Sequence, residues 1–322
     1  MKAGVFNPVF GDSLSLAEML DKVVELGLDA VEIGTGCSPG NFHCKPDELL
    51  NDEAKLEEFK AAFEDRDLII SGLSCHGNPL HPVPEKAEAD HEVFRKTVLL
   101  AEKLEVPVVN LFSGCPGGSE DAKRPNWITY TWPNDYAEAL EWQWEEKVIP
   151  YWKEQGKFAQ EHGIKLAFEM HPGFVVYNPA TLLKLREAVG DVIGANFDPS
   201  HLIWQGIEPV KAIHELKGAI YHFHAKDTAI NPVRCPVNGV LDTTNLGEVA
   251  ERSWAFRSLG YGNGIKYWKD IVSALRMTGY DYVLSIEHED ALASVDEGLT
   301  KAAQVLKESL LYEEPVNPWW TD

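Results

Sequence analysis

The chain of 322 residues is 44% hydrophobic, 10% aromatic and 25% charged, enough apolar material for one large core. Fifty-one acidic residues against 29 basic ones give a net charge of −22, which argues against a nucleic-acid partner or an anionic membrane surface. No apolar run approaches the ~20 residues of a membrane span, Met1-Lys2-Ala3 leads directly into a strand-like segment, and the five scattered cysteines form no CxxC. The expectation is a cytoplasmic protein without disulfides.

In chain order, short apolar or β-branched runs predict strands at 3–7, 30–34, 69–76, 107–114, 165–171, 193–198, 220–226 and 282–289. Between them apolar residues recur at helical spacing. The first such stripe is Leu16-Met19-Leu20-Val23-Val24-Leu26, stopped by Gly27, and Gly163, Gly190 and Gly279 end later helices. A strand and a helix repeated eight times predict a (β/α)8 TIM barrel, because parallel strands covered on both faces read as nearly continuous apolar runs. An open doubly wound sheet fits less well, since no GxGxxG follows the first strand. With no linker, repeat or low-complexity tract, residues 1–322 read as one domain. Two connections exceed simple barrel loops: Cys115 to about Asp135 after the fourth strand, and Thr228 to Gly264 after the seventh.

The ionisable residues gather at the ends of the last four strands. These segments read LAFEMHPG, with Glu169 and His171; ANFDPSH, with Asp198 and His201; YHFHAKD, with His222, His224 and Lys226; and LSIEHED, with Glu287 and Glu289. Period-two alternation puts Glu169 with His171, Asn196 with Asp198, His222 with His224 and Lys226, and Glu287 with Glu289 on inward faces. Carboxylates gathered in a barrel mouth repel one another unless a counter-charge is present, and a divalent cation supplies it. Two Glu, one Asp and one His make a mainly oxygen set, suited to Mg²⁺, Mn²⁺ or Co²⁺ with open positions rather than to structural zinc. His76, ending the third strand, with His171 and Lys226, are candidates to touch substrate; Lys226 followed by Asp227 also reads as an ion pair at the rim.

Glu169, Asp198-x-x-His201, His224 and Glu287 on four successive strands resemble the xylose isomerase-like TIM-barrel superfamily of sugar isomerases and epimerases, which includes ketose 3-epimerases and inosose isomerases. The resemblance runs from the first strand to the last helix. It implies that Glu169, Asp198, His224 and Glu287 bind one divalent metal, most often manganese, and that Glu169 and Glu287 double as an acid–base pair. It also implies that His201 touches substrate oxygens, and that Arg257, ahead of Gly260-Tyr261-Gly262 and Trp268, contacts the substrate. The implied chemistry is removal of a proton beside a metal-chelated carbonyl of a ketose or keto-sugar, through an enediolate.

Proton return to the opposite face is epimerisation, and return to the neighbouring carbon is isomerisation. A leaving group β to the carbanion turns the same step into elimination, so a lyase that deglycosylates 3-keto-glycosides is the alternative. The long seventh connection motivates it, and some such enzymes carry a small partner subunit. The endonuclease IV branch of the same barrel fits poorly, because Asn110, Ser113 and Lys226-Asp227 stand where it needs histidines. Val316-Asn317-Pro318-Trp319-Trp320 places two indoles near the C-terminus, and exposed aromatics favour a homo-oligomer, a dimer or tetramer.

Overall fold

Eight parallel strands close into a barrel, and a two-stranded antiparallel ribbon stands beside its mouth. The computed structural model describes residues 1–316 and 320. In chain order the strands are β1 (Lys2–Phe6), β2 (Ala30–Gly34), β3 (Ile69–Ser74), β4 (Val108–Leu111), β5 (Lys165–Glu169), β6 (Ile193–Phe197), β7 (Ile220–Ala225), β8 (Asp227–Ile230), β9 (Trp254–Arg257) and β10 (Val283–Ile286). The barrel order is β1-β10-β7-β6-β5-β4-β3-β2, closed where β1 lies against both β2 and β10, while β8 and β9 form the ribbon. The expected (β/α)8 architecture is therefore present.

Helices follow the predicted stripes. Residues Leu16–Glu25 start with a capping box, the Ser15 N–H donating to Glu18 Oε2 and the Glu18 N–H to Ser15 Oγ. Met19, Leu20 and Val23 are buried, but Val24 is 47% exposed, because it lies off the stripe that faces the barrel. The chain leaves this helix through Gly27 at φ 64°, the left-handed conformation a stop glycine supplies. Most of the predicted strands run past the observed ends by a few residues. Those extra residues include the chemistry-bearing tips, which keep facing the mouth after the ladder has stopped.

The two faces of the sheet differ in kind. Phe168, Phe197 and Phe223 alternate with the inward residues and pack with Trp152 and Trp268 in the shell between strands and helices. The barrel interior is polar instead: Ser71, Asn110, Asn196, His222, His224 and Glu32 are all fully buried there. Their mutual hydrogen bonds make this tolerable, with His222 Nδ1 3.1 Å from Asn196 Oδ1 and Nε2 3.1 Å from Ser71 Oγ.

Both long connections are ordered. Buried Gln143, in a π-helical turn, donates through Nε2 to the carbonyls of Pro116, Gly117 and Asn126, which pins the connection after β4. The connection after β7 is built on the β8–β9 ribbon. All five cysteines are free thiols, and among the described residues no helix is long and apolar enough to cross a membrane. Of the C-terminal stretch expected to favour association, Asn317, Pro318 and Trp319 lie outside the described residues.

Candidate metal and proton-transfer site

At the C-terminal ends of the barrel strands, Glu169, Asp198, His224 and Glu287 each offer one ligand atom, and these atoms lie within 4.8 Å of one another. Each is placed by its element. Glu169 is the last residue of β5 and Glu287 the first after β10, while His224 sits inside β7. Asp198 caps the short helix Pro199–Ile203. Its Oδ1 accepts the Ser200 N–H at 2.8 Å, which leaves Oδ2 for the cluster.

Glu169 is held by three imidazoles. His76 Nε2 lies 3.1 Å from Oε2, His201 Nε2 3.2 Å from Oε1 and His224 Nδ1 3.4 Å from Oε2. Burial pushes its pKa up, but the bonds from His201, His224 and His76 outweigh this and hold it well below the usual carboxylate range. Glu287 has its Oε2 2.9 Å from His224 Nδ1 and 2.8 Å from Lys226 Nζ. Burial opposes ionisation there too, yet Lys226 and His224 draw its pKa down to about 2. Asp198 goes the other way, raised by burial against the pull of Lys226 and His201.

Lys226 is almost fully buried. Its Nζ reaches Asp198 Oδ2 at 3.1 Å, Glu287 Oε2 at 2.8 Å and Glu289 Oε2 at 3.0 Å. Burial alone would lower its pKa, and the surrounding carboxylates raise it well above the ordinary value. The expected rim pair with Asp227 is not the arrangement found. Asp227 Oδ2 accepts the backbone N–H groups of Gly260, Gly262 and Asn263, and Trp268 Nε1–H at 3.3 Å, so it organises the turn after β9. Gly262 is required there by close approach: a Cβ would lie 2.5 Å from the Thr228 carbonyl oxygen.

His171 and His201 pack at 4.1 Å between ring centroids, and His171 Nδ1–H donates to the Pro172 carbonyl at 2.6 Å. Burial lowers the His171 pKa to about 3, with His201 acting in the same direction. His76, His171, Lys226, Glu169 and Glu287 line one cavity of about 550 Å³ at the barrel mouth. Arg257 does not line it. Its Nε sits 3.1 Å from each Asp290 oxygen, and its guanidinium lies over the Tyr261 ring, so the substrate contact implied by the resemblance has no counterpart in this geometry. A cavity of about 370 Å³ at the opposite end of the barrel, lined by Pro107, Lys165, Tyr221 and Tyr282, gathers no comparable set of groups.

Sequence reasoning missed Glu32. This carboxylate is fully buried in the middle of β2 and accepts from Ser74 Oγ at 2.5 Å and Asn110 Nδ2 at 2.8 Å, with His224 Nε2 2.9 Å away. The signal was present: AVEIG carries one acid at an inward position of an otherwise apolar strand. A carboxylate only accepts, so His224 carries a proton on Nε2; burial opposes its charge, but Glu32 and Glu287 raise its pKa well above the ordinary value, so Nδ1 is protonated too, and a cation at the cluster would take the place of that second proton. His224 Nδ1, Asp198 Oδ2 and Glu287 Oε2 are buried and meet one another and Lys226 at ion-pair distance, but no contact of theirs has hydrogen-bond geometry. Three converging atoms of this chemistry, held by charge and not by aligned hydrogen bonds, fit a divalent cation.

A buried mixed carboxylate–imidazole cluster at the open end of a parallel eight-stranded barrel defines the class: a TIM barrel with a metal-competent catalytic face. The family profile described as Xylose isomerase-like TIM barrel matches residues 20–309, and the chain belongs to that family. The YfiH protein of Bacillus subtilis (strain 168) is 40% identical over 300 residues, covering 92% of this chain and 96% of that protein. The inosose dehydratase of Bacillus thuringiensis (strain Al Hakam) is 27% identical over 157 residues, 48% of this chain and 50% of that enzyme. Three solved structures share the fold. The probable 3-DHS dehydratase AsbF of Bacillus anthracis has a TM-score of 0.65 at 18% identity, covering 95% of this chain and 99% of that one. A D-tagatose 3-epimerase-like protein scores 0.62 at 21% identity, with 96% and 99% covered. The IOLI protein with a bound zinc atom scores 0.64 at 17%, with 96% of each chain covered.

Proposed function

We propose that the protein is a divalent-metal-dependent isomerase or epimerase of a ketose or keto-sugar, working by removal of a proton from the carbon beside a carbonyl. The observation that carries this reading is the convergence of Glu169, Asp198, His224 and Glu287 within 4.8 Å, with the two glutamates able to move a proton. These four residues would hold the ion, with Mn²⁺, Mg²⁺ and Co²⁺ all matching the donor set. When bound, the ion supplies a concentrated positive charge that acidifies the substrate C–H and stabilises the oxyanion formed on its loss.

The protein's own groups do the rest. Glu169 and Glu287 are both kept ionised by their neighbours, so either can accept a proton. One carboxylate takes the C–H proton, and the other, after accepting a proton from solvent, returns it to the opposite face, giving the epimer; delivery to the adjacent carbon, with the hydroxyl proton moving to the old carbonyl oxygen, gives the isomer. His76, His171, His201 and Lys226 surround the same space and would orient substrate oxygens. Lys226 also brings positive charge toward a developing oxyanion without a further metal.

A second reading is favoured by the similarity to inosose dehydratase over about half the chain. The first step is the same, but a hydroxyl or alkoxyl β to the carbanion departs, taking a proton from Lys226 or His201, and an α,β-unsaturated ketone remains. Deglycosylation of a 3-keto-glycoside is this reaction with a sugar substituent as the leaving group.

The test is to incubate the Mn²⁺-loaded protein with a panel of ketoses and 3-keto-sugars in deuterated water and to follow carbon-bound deuterium by NMR. Deuterium entering beside the carbonyl, abolished by chelator, is the expected result, and an enone absorbance assigns elimination. No exchange with any member of the panel overturns both readings.

A further inference from the structure

A second chamber of about 540 Å³ opens beside the cavity that holds the metal-competent cluster, and His171 and Glu289 line both. Its walls are aromatic. Trp204 from the segment after β6 and Trp254 from β9 stack at 4.6 Å with their planes 2° apart, Phe256 lies next to them, and Trp127 comes from the long connection after β4. The connection after β7 closes the chamber with Leu241 and Leu246. The volume is within the range of a small-molecule site and is additional to the space a single sugar ring needs.

Arg252 and Asp242 of this wall are engaged with the protein itself, whereas the Trp127 and Trp204 Nε1–H groups have no partner. Arg252 donates to the carbonyls of Trp254 and Thr244 and lies over the Trp254 ring, and Asp242 accepts the N–H groups of Ser253 and Thr244. What the chamber offers an occupant is therefore aromatic faces, aliphatic side chains and two indole N–H donors. Leu241 and Leu246 stand 70% and 59% exposed at its rim, apolar surface open to an occupant of the chamber. Phe256 joins the two chambers physically: its ring lies 4.7 Å from Lys226 Nζ and 5.2 Å from the His201 ring. A ligand with its polar end among Glu169, Lys226 and His201 would meet this aromatic wall directly.

We infer that the substrate is a two-part molecule: a keto-sugar carrying an aromatic substituent, the sugar held at the acid–imidazole cluster and the aromatic ring seated between the indoles and the β7–β9 connection. The inference rests on the proposed function for the sugar end and adds the chemistry of the other end. An aromatic group fits better than a second sugar, because stacked rings and two lone N–H donors suit a flat ring with an oxygen substituent, while a sugar's several hydroxyls would outnumber the free partners on this wall.

The experiment compares 3-keto-D-glucose with phenyl 3-keto-β-D-glucopyranoside on the Mn²⁺-loaded protein, reading dissociation constants by titration calorimetry and by quenching of tryptophan fluorescence. The phenyl glycoside is expected to bind at least about tenfold more tightly, and quenching is expected to accompany only that ligand. Trp254→Ala and, separately, Leu241→Asp at an exposed position should bring the ratio of the two constants toward one; the second change keeps the test valid if the first disturbs folding. Equal affinity for the two ligands in the unaltered protein, with the free keto-sugar still exchanging its C–H proton, overturns the aromatic chamber and leaves the proposed function standing. Binding of neither ligand overturns the inference together with the reading beneath it.

Discussion

Glu32 Oε2 lies 2.9 Å from His224 Nε2, on the side of the imidazole opposite its contact with Glu287, although the two residues are 192 positions apart. The carboxylate fixes which nitrogen keeps its proton and aims the other at the ligand cluster, where a cation would replace its proton. Replacing Glu32 by Gln removes the charge while keeping the shape. The expected outcome is a 10- to 100-fold loss of Mn²⁺ affinity in calorimetric titration, roughly the usual effect of losing such a partner. Unaltered affinity would mean that His224 is oriented by packing alone.

In the proposed function Glu287 moves protons as well as holding a cation. Glu287→Gln retains an oxygen donor but cannot accept a proton. Exchange of substrate C–H with deuterated water should drop by about 10²–10⁴-fold, with a smaller loss of metal affinity. Normal exchange in this variant would remove Glu287 from the acid–base pair.

Lys226 neutralises Asp198, Glu287 and Glu289 at about 3 Å from each. Lys226→Met leaves those acids facing one another, at a cost of about 3–5 kcal/mol in the metal-free protein. The melting temperature in chelator should fall by several degrees, and Mn²⁺ should restore more stability to the variant than to the unaltered protein, since the dication replaces the missing charge. Equal gains from Mn²⁺ in both proteins would show that the ion and the ammonium do not serve the same carboxylates.

Asp290 anchors the end of the long connection. It accepts from Arg257 Nε, the Ser258 N–H and Oγ–H, and the Leu292 N–H. Burial works against its ionisation, but these bonds and the nearby guanidinium hold its pKa below the ordinary value. A depressed folded-state pKa contributes stability above the unfolded value near 4, lost as pH falls through the lower folded value. Asp290→Asn should therefore cost about 2 kcal/mol at neutral pH. The gap between the two proteins in denaturant midpoint should narrow as pH drops below about 4. A constant gap across that window would assign the role of Asp290 to shape rather than charge.

Much of the barrel was legible because parallel strands and their covering helices leave local signatures. Continuous apolar runs, stripes at helical spacing and stop glycines such as Gly27 depend on neighbours a few residues away. The tips of β5, β6, β7 and β10 stood out for the same reason, as acids and imidazoles in otherwise apolar segments. Glu32 carried that signal too, but a single acid on one strand has no meaning until its partner across the barrel is known.

The amino-acid order by itself determined the repeating strand–helix plan and placed Glu169, Asp198, His224 and Glu287 on inward positions. Barrel closure decided the rest: that Glu32 meets His224, that Lys226 turns into the acid cluster while Asp227 turns to the Gly260–Asn263 turn, and that Arg257 pairs with Asp290. It also decided that the β8–β9 ribbon brings Trp254 against Trp204. Alternation along a strand depends on backbone pleat, a local property, whereas contacts across the mouth depend on the stagger of all eight strands and the path of two long connections, which no local pattern encodes.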